Sequence, residues 1–369
     1  MLTVKTPELY ISEPEALKKA GEVFGKYGKK VYIIGGKTAL EKTWDTLEPS
    51  LKNAGIRYQI AEYEGYPTEA NAGRHAAAAK EYGADLIAAV GGGRVCDTAK
   101  MAAAQTGLPC VTVPTIAATC AAWAALSIVY DDRGKVLFAA FHQKCPKAVI
   151  ADTRVILEAP VRYIRAGIVD TLAKWYETAP NLAQESGDLT LRVNIGTAKV
   201  AYETLTEHID DLIQQLDAHE ITPLTQNAVD AIIYLAGLSG SLTSQNFYGG
   251  FAHGFYNSVT QLPETAGYLH GERVAVGLLT QFILEGKDRE FLDREIGYFI
   301  RLKQPVTLAQ IGITEAVQEK LDAIVPDIVK FVDFVPFLKG NQELSHLDKI
   351  IRKADLIGSG YLQKGQYGG

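Results

Sequence analysis

Leu86-Ile-Ala-Ala-Val-Gly91-Gly92-Gly93-Arg94-Val-Cys-Asp97-Thr98-Ala99-Lys100 is the stretch that decides the fold. Its first five residues are apolar without alternation, the pattern of a strand buried on both faces, and the run after the glycines has helical spacing. Three glycines in between let the backbone turn sharply and approach a ligand closely. The first N–H groups of the following helix, at its positive dipole end, favour an anion there. The pattern is neither GxGxxG nor GxxxxGKS/T, and it follows the third recognisable strand instead of the first. Taken alone it therefore suits a tight strand-to-helix turn as well as a phosphate cradle.

Outward from this turn, the short β-rich runs 30–34, 57–60, 85–90 and 110–113 alternate with helical stretches at 38–54, 68–82 and 94–106. That rhythm predicts a parallel sheet with helices on both faces. A second turn, Pro114-Thr115-Ile-Ala-Ala118-Thr119-Cys120, brings small and hydroxyl residues to what should be the same sheet edge. Ligands of open α/β sheets bind at the carboxyl ends of the strands, so the two turns strengthen each other. Leu126 to Phe138 reads as two alternating strands around Asp132-Arg133-Gly134, a hairpin insertion. Beyond Ile150 the strand signals nearly vanish, and 161–178, 188–217, 224–245, 271–286 and 314–333 carry the apolar spacing of buried helix faces. The expected organisation is an α/β domain with a parallel sheet over 1–156 and an all-α domain over 157–369, with Pro160 near the boundary.

Composition limits what such a chain can do. With 369 residues it can bury two cores, and 22% charged residues without a low-complexity tract predict a chain folded throughout. A net charge of -6 with both signs interspersed argues against nucleic acid as a partner and leaves small molecules. No 18-residue apolar run and no basic-then-apolar start are present, so a cytoplasmic protein without membrane association is expected. Cys96, Cys110, Cys120 and Cys145 lack ligand spacing, which disfavours structural disulfides and a zinc–thiolate cluster alike.

Val90-Gly-Gly-Gly-Arg-Val-Cys-Asp-Thr-Ala-Lys100 resembles the VGGGKTLDTAK signature of glycerol dehydrogenases, and Pro114 to Tyr130 is similar to their PTxASTDAPTSALSVIY. Ala166-Gly-Ile-Val-Asp-Thr-Leu-Ala-Lys-Trp-Tyr-Glu177 resembles SGIADALATWxEA, and Leu269-His-Gly-Glu-Arg-Val-Ala-Val-Gly277 continues the similarity. With four motifs in order over nearly the whole chain, the sequence is identified as similar to the iron-containing alcohol dehydrogenase family, in its glycerol dehydrogenase-like branch. The resemblance implies the two-domain architecture shared with dehydroquinate synthases, with dinucleotide and metal in a cleft between the domains, and commonly a homo-oligomer. It implies a dinucleotide site lined by Gly91, Gly92 and Gly93, with Arg94, Val95 and Asp97 of the same turn, and by Thr115, Ala118, Thr119, Leu126 and Tyr130.

Asp170, His253 and His270 are candidate ligands that lie far apart in the chain, so on spacing alone a packed or surface role is the commoner reading; His75, His142, His208, His219 and His346 show no ligand context. By resemblance they fall on the family's catalytic metal ligands. One carboxylate and two imidazoles would hold Zn²⁺ or Fe²⁺ and leave coordination positions open. Where many members carry a second histidine three positions after the first, this chain has Tyr256.

Two departures bear on substrate and cofactor. The family's aspartate in STDAPTS, which contacts a polyol, is Cys120 here, with Trp123 in place of a proline. After the first of the alternating strands, where NAD-preferring relatives keep an acid for the ribose hydroxyls, stands Gly36, followed by Lys37 and Thr38, which could take a 2′-phosphate. The expected activity is metal-dependent hydride transfer between NADP or NAD and a small carbonyl compound, with a 2-oxo acid favoured over glycerol. Cys120, Trp123 and Tyr256 are the candidate substrate residues. A dehydroquinate synthase would need a basic, phosphonate-binding cluster that the sequence does not display, and the non-catalytic alternative is a dinucleotide sensor.

Overall fold

The parallel sheet expected around the glycine turn forms from six strands: β1 (Leu9–Glu13), β2 (Lys30–Gly35), β3 (Arg57–Glu62), β4 (Leu86–Gly91), β5 (Cys110–Pro114) and, beyond a hairpin, β8 (Ala148–Asp152). They are described in a computed structural model covering residues 3–183, 188–243, 250–332 and 335–364. The strand order is β1-β8-β5-β4-β2-β3, all parallel. The helices α1 (Lys37–Asn53), α2 (Glu69–Tyr82) and α3 (Gly93–Thr106) supply the crossovers, within two residues of the expected stretches. β4 is buried along its length, as its unbroken apolar run requires.

β1 was not anticipated. Its Leu-Tyr-Ile-Ser-Glu is an edge strand, half-buried throughout and paired only with β8, so it lacks the apolar run of the central strands. With it counted, the glycine turn follows the fourth strand of the sheet. From β2 the chain steps outward to β3 and then returns to the other side of β2 as β4, so the strand order reverses between β2 and β4. That is the topological switch point at which open α/β sheets take ligands.

The hairpin is present as β6 (Leu126–Tyr130) and β7 (Val136–Phe141), antiparallel with a register shift at Val129/Tyr130. It is fastened to α3 by a buried polar cluster. Asp97 pairs with Lys100 at 2.9 Å and accepts from the Ile128 N–H at 3.2 Å, Lys100 donates to the Ala124 carbonyl at 3.1 Å, and Ser127 donates to the Asp97 carbonyl at 3.0 Å.

Contacts divide the chain into two compact units. One joins Thr3–Ile164 with Gln215–Ser241, and the other joins Arg165–Gln214 with the described residues from Leu242 onward. The expected boundary places the excursion 215–241 in the helical half, and the contacts place it with the sheet. It packs with the sheet because Tyr10 donates to Asp230 at 2.6 Å, His219 Nδ1 meets the Leu157 carbonyl at 2.6 Å, and Tyr234 lies 5.2 Å from the Trp123 ring. Within it Pro223–Asp230 runs through a π-helical turn, Ala231–Leu235, into Ala236–Ser241.

The other unit is helical among its described residues, apart from the two-residue strand Leu242–Thr243. Its core gathers Phe251, Phe255, Val259, Leu308, Ile311, Leu321, Ile324, Ile328 and Ile351. The helices that build the site are α4 (Arg162–Thr178, which enters this unit at Arg165), α5 (Phe251–Val259) and α6 (His270–Leu284). The expected helix 188–217 is two, Leu189–Thr206 and Ile209–Asp217. Helices α5, Arg289–Arg301 and Leu347–Lys364 have no counterpart among the expected stretches. Among the described residues no helix is long and apolar enough to cross a membrane, and none of the four cysteines is in a disulfide.

Candidate functional site

Glycines at the helix contacts bring Asp170, His253 and His270 together. A Cβ on Gly271 would stand 1.9 Å from the Ala166 carbonyl oxygen, and one on Gly277 would stand 2.8 Å from that of Ala252. α6 thus runs nearly backbone-to-backbone against α4 and α5, which carry Asp170 and His253. Asp170 Oδ1 lies 2.9 Å from His270 Nε2 and 3.3 Å from His253 Nε2. One ligand atom from each of the three falls within 4.8 Å of the others. Gly271→Ala is expected to destabilise the protein by about 3 kcal/mol, the upper end of overpacking costs, because a backbone carbonyl cannot rotate away. It should also weaken metal retention by separating Asp170 from His270, which thermal unfolding and elemental analysis would check.

The electrostatics of the cluster call for a cation. At Asp170 burial opposes the charge, but the His270 charge, Lys174 and hydrogen bonds from both histidines outweigh it and hold the carboxyl well below its usual range. At His253 burial again opposes the charge, and the Glu177 carboxylate overcomes it, raising the ring to about 9. His270, where burial prevails over Asp170, is lowered. Two buried carboxylates thus face two imidazoles. Buried carboxylates are costly unless paired, so this donor set fits a divalent metal. Its nitrogen and oxygen atoms suit zinc or iron with positions left over.

Glu177 was not singled out by sequence reasoning. It lies seven residues after Asp170, on the same face of α4, a spacing that could have found it. Tyr256 packs edge-on against His270 with ring centroids 4.1 Å apart, and Arg273 lies over the Tyr256 ring at 4.8 Å.

The other candidates gather in the sheet-bearing unit, at the carboxyl ends of adjacent strands. Gly35 is in register with Val90 and Gly91 with Pro114, while Gly36 N–H donates to the Val90 carbonyl at 3.1 Å and Thr115 N–H to that of Gly91 at 3.3 Å. Gly36, Gly91–Gly93 and Thr115 therefore form one edge over the switch point. Gly91 has φ 154° and Gly92 faces Ile116 so closely that a Cβ would meet its Cδ1 at 2.8 Å. Neither Gly36 nor Gly92, the residues preceding α1 and α3, contributes a side-chain cap, so first-turn N–H groups remain for an anion.

Around this edge, Arg94 is exposed and lies over the Tyr66 ring at 4.4 Å, and Tyr66 stacks on Tyr130 at 5.8 Å. Val95 is buried behind Gly91, Lys37 and Thr38 are exposed on the first turn of α1, and Leu126 is half-buried at the start of β6. Ala118, Thr119 and Cys120 are half-buried, with Thr119 and Ala121 both 3.3 Å from the position of a Cβ on Gly93. Asp97 lies beneath the turn, engaged by Lys100 and Ile128. Trp123 is 5% exposed and packed among Tyr10, Tyr234 and Gly237.

The chain and its fold have counterparts among known proteins. The family model described as iron-containing alcohol dehydrogenase matches residues 7–153. Glycolaldehyde reductase of Halobacterium salinarum is 32% identical over 328 residues, covering 87% of this chain and 88% of the relative. Hydroxycarboxylate dehydrogenase A of Escherichia coli is 34% identical over 337 residues, covering 90% and 91%. The crystal structure of a probable glycerol dehydrogenase from Sinorhizobium meliloti superposes with a TM-score of 0.87 at 25% identity, covering 98% of this chain and 100% of that one.

Proposed function

The chain belongs to the iron-containing alcohol dehydrogenase family, in its glycerol dehydrogenase-like branch, and from that premise we propose that it reduces small 2-oxo acids with NADPH or NADH, reversibly with the 2-hydroxy acids. It is an alcohol oxidoreductase of a family that works with NAD(H) and a divalent metal. The observation that carries the reading is the Asp170–His253–His270 cluster, which we take as the metal ligands. When bound, the ion supplies Lewis acidity to the oxygen of the carbonyl or alcohol group. Asp170 and the two imidazoles would fix its position and offset its charge, Glu177 hydrogen-bonds the ring of His253 and Tyr256 packs on that of His270, and the N–H groups at Gly91–Gly93 would hold the pyrophosphate of the dinucleotide.

The substrate class rests on Cys120. It is half-buried in the turn beside the glycine edge, where the glycerol dehydrogenase pattern carries an aspartate, so this chain presents no fixed negative charge there to repel a carboxylate. The similarity to hydroxycarboxylate dehydrogenase A supports that choice, and similarity to a probable glycerol dehydrogenase keeps glycerol as the second reading. Cys120→Asp is expected to lower kcat/KM roughly tenfold on a 2-oxo acid relative to an uncharged ketone of the same size. Charges ~6 Å apart at an effective dielectric of ~20 repel by ~3 kcal/mol, of which solvent at a half-exposed position leaves about half. Equal losses on both substrates would show that residue 120 acts by packing alone.

The decisive experiment is a panel of 2-oxo acids, aldehydes, ketones and polyols assayed with NADH and NADPH after metal loading. Preference for glycerol would replace the substrate assignment. A metal-loaded protein that binds dinucleotide without turnover would make it a sensor instead.

A further inference from the structure

Glu177 makes two contacts to one residue. Its Oε1 accepts from the backbone N–H of His253 at 3.0 Å, and its Oε2 accepts from the same residue's Nδ1 at 2.5 Å. Glu177 is 5% exposed. It reaches the start of α5 only because residue 250 has no side chain, since a Cβ on Gly250 would lie 1.9 Å from the Glu177 carboxyl carbon. A capping interaction alone would need one oxygen on the first-turn N–H groups, and the second oxygen is spent on the ring.

We propose that Glu177 is the positioning residue of the metal centre, clamping His253 by backbone and ring so that Nε2 is the nitrogen presented toward Asp170 and His270. An Nδ1–H that donates to a carboxylate leaves the lone pair on Nε2, the atom 3.3 Å from Asp170 Oδ1. Rotating the ring by half a turn would set a carbon against Oε2 and forfeit a charge-assisted hydrogen bond, so the clamp also fixes the rotamer. Placing Glu177 seven residues after Asp170 lets one face of α4 supply a ligand and the group that orients a second ligand. Carboxylate partners of metal-bound imidazoles raise ligand basicity as well as fixing geometry. The inference rests on the metal reading of Asp170, His253 and His270.

The test uses the full chain and four variants: Glu177→Gln, Glu177→Ala, Gly250→Ala, and Asp170→Ala as the ligand control. Zn²⁺ affinity is measured by chelator competition, the Co²⁺ absorption spectrum is recorded, and the metal-free proteins are melted in parallel. Both Glu177 variants are expected to weaken Zn²⁺ binding by about ten- to a hundredfold, with glutamine the milder because one amide oxygen can still accept from Nδ1–H. Gly250→Ala, which leaves the carboxylate in the chain but obstructs it, should weaken binding in the same direction. The Co²⁺ bands should shift in all three. Glu177→Gln is close to isosteric and keeps the test open if the alanine variant fails to fold.

Wild-type Zn²⁺ affinity within about twofold in the Glu177 variants, with binding lost in Asp170→Ala, overturns this inference and leaves the metal reading standing. A lowered melting temperature with an unchanged Co²⁺ spectrum also overturns it, because Glu177 would then be only a helix cap. A wild-type protein that takes up neither Zn²⁺ nor Co²⁺ overturns both.

Discussion

Stripping the protein of divalent metal is expected to lower kcat/KM by about a thousandfold or more, and Zn²⁺ or Fe²⁺ is expected to restore it. The magnitude follows from the several kcal/mol that Lewis acidity contributes to the transition state of carbonyl reduction, at ~1.4 kcal/mol per tenfold. His270→Ala should reproduce the loss without a chelator. The ring is the first residue of α6, partly exposed, and its contacts are Asp170, His253 and the edge of Tyr256, so removing it opens a site without hollowing a core. The variant should retain wild-type circular dichroism, lose stoichiometric metal, and bind dinucleotide through the sheet-bearing unit with unchanged affinity. Full turnover in a sample shown by elemental analysis to be free of metal would sink the assignment. So would a His270→Ala protein that keeps both its ion and its rate.

The sequence made the sheet legible where burial is symmetric. The central strands 86–91 and 110–114 are buried on both sides, so their residues are apolar except for Thr112, whose hydroxyl donates to the Ala122 carbonyl at 2.7 Å, and their ends are marked by Gly91 and Pro114. β1 is hard to see in the sequence because an edge strand needs little apolar character; its Tyr10 serves a hydrogen bond to Asp230, and Glu13 extends the ladder to Asp152 and pairs with Lys19. The excursion 215–241 was misplaced for a related reason. Helical periodicity states that a face is buried but not against which partner, and the partners here are Tyr10, Trp123 and Leu157, far upstream.

The candidate site was legible in unequal measure. Spacing could not have joined Asp170 to His253 and His270; the juxtaposition depends on helix contacts that Gly271 and Gly277 permit, and glycine in a helix carries no sequence mark of which carbonyl it must approach. Resemblance to a family located the three ligands, but a motif read for its ligands passes over the residue that orients them. Glu177 closes the 166–177 motif, whose resemblance marks Asp170 alone as a ligand. The seven-residue spacing from Asp170 marks it as a candidate, and its contact with His253 depends on the room that Gly250 leaves at the start of α5.

Gly36→Asp is expected to shift the preference between NADPH and NADH toward NADH by roughly five- to 150-fold, measured as the ratio of kcat/KM values. The position tolerates the change. Gly36 has φ -69° and ψ 141°, an extended conformation open to any residue, and a Cβ there would meet Val95 Cγ2 at 3.7 Å and Ala39 Cβ at 3.8 Å, ordinary contacts. It is also the residue preceding α1, where aspartate is a preferred N-cap and glycine is only a few tenths of a kcal/mol worse, so the fold should be unharmed or slightly stabilised. What changes is charge. Gly36 follows β2 at the switch point beside Gly91, and a carboxylate there would accept from ribose hydroxyls while repelling a 2′-phosphate by on the order of one to three kcal/mol. Lys37, exposed on the first turn of α1, would then be neutralised in part by the new acid instead of facing the phosphate. Lys37→Ala separates the two contributions: it should weaken NADPH alone and leave NADH unchanged. If the wild type already rejects NADPH, or if Gly36→Asp alters both dinucleotides equally, the turn does not read the 2′ position and Gly36 serves only the backbone path from β2 into α1.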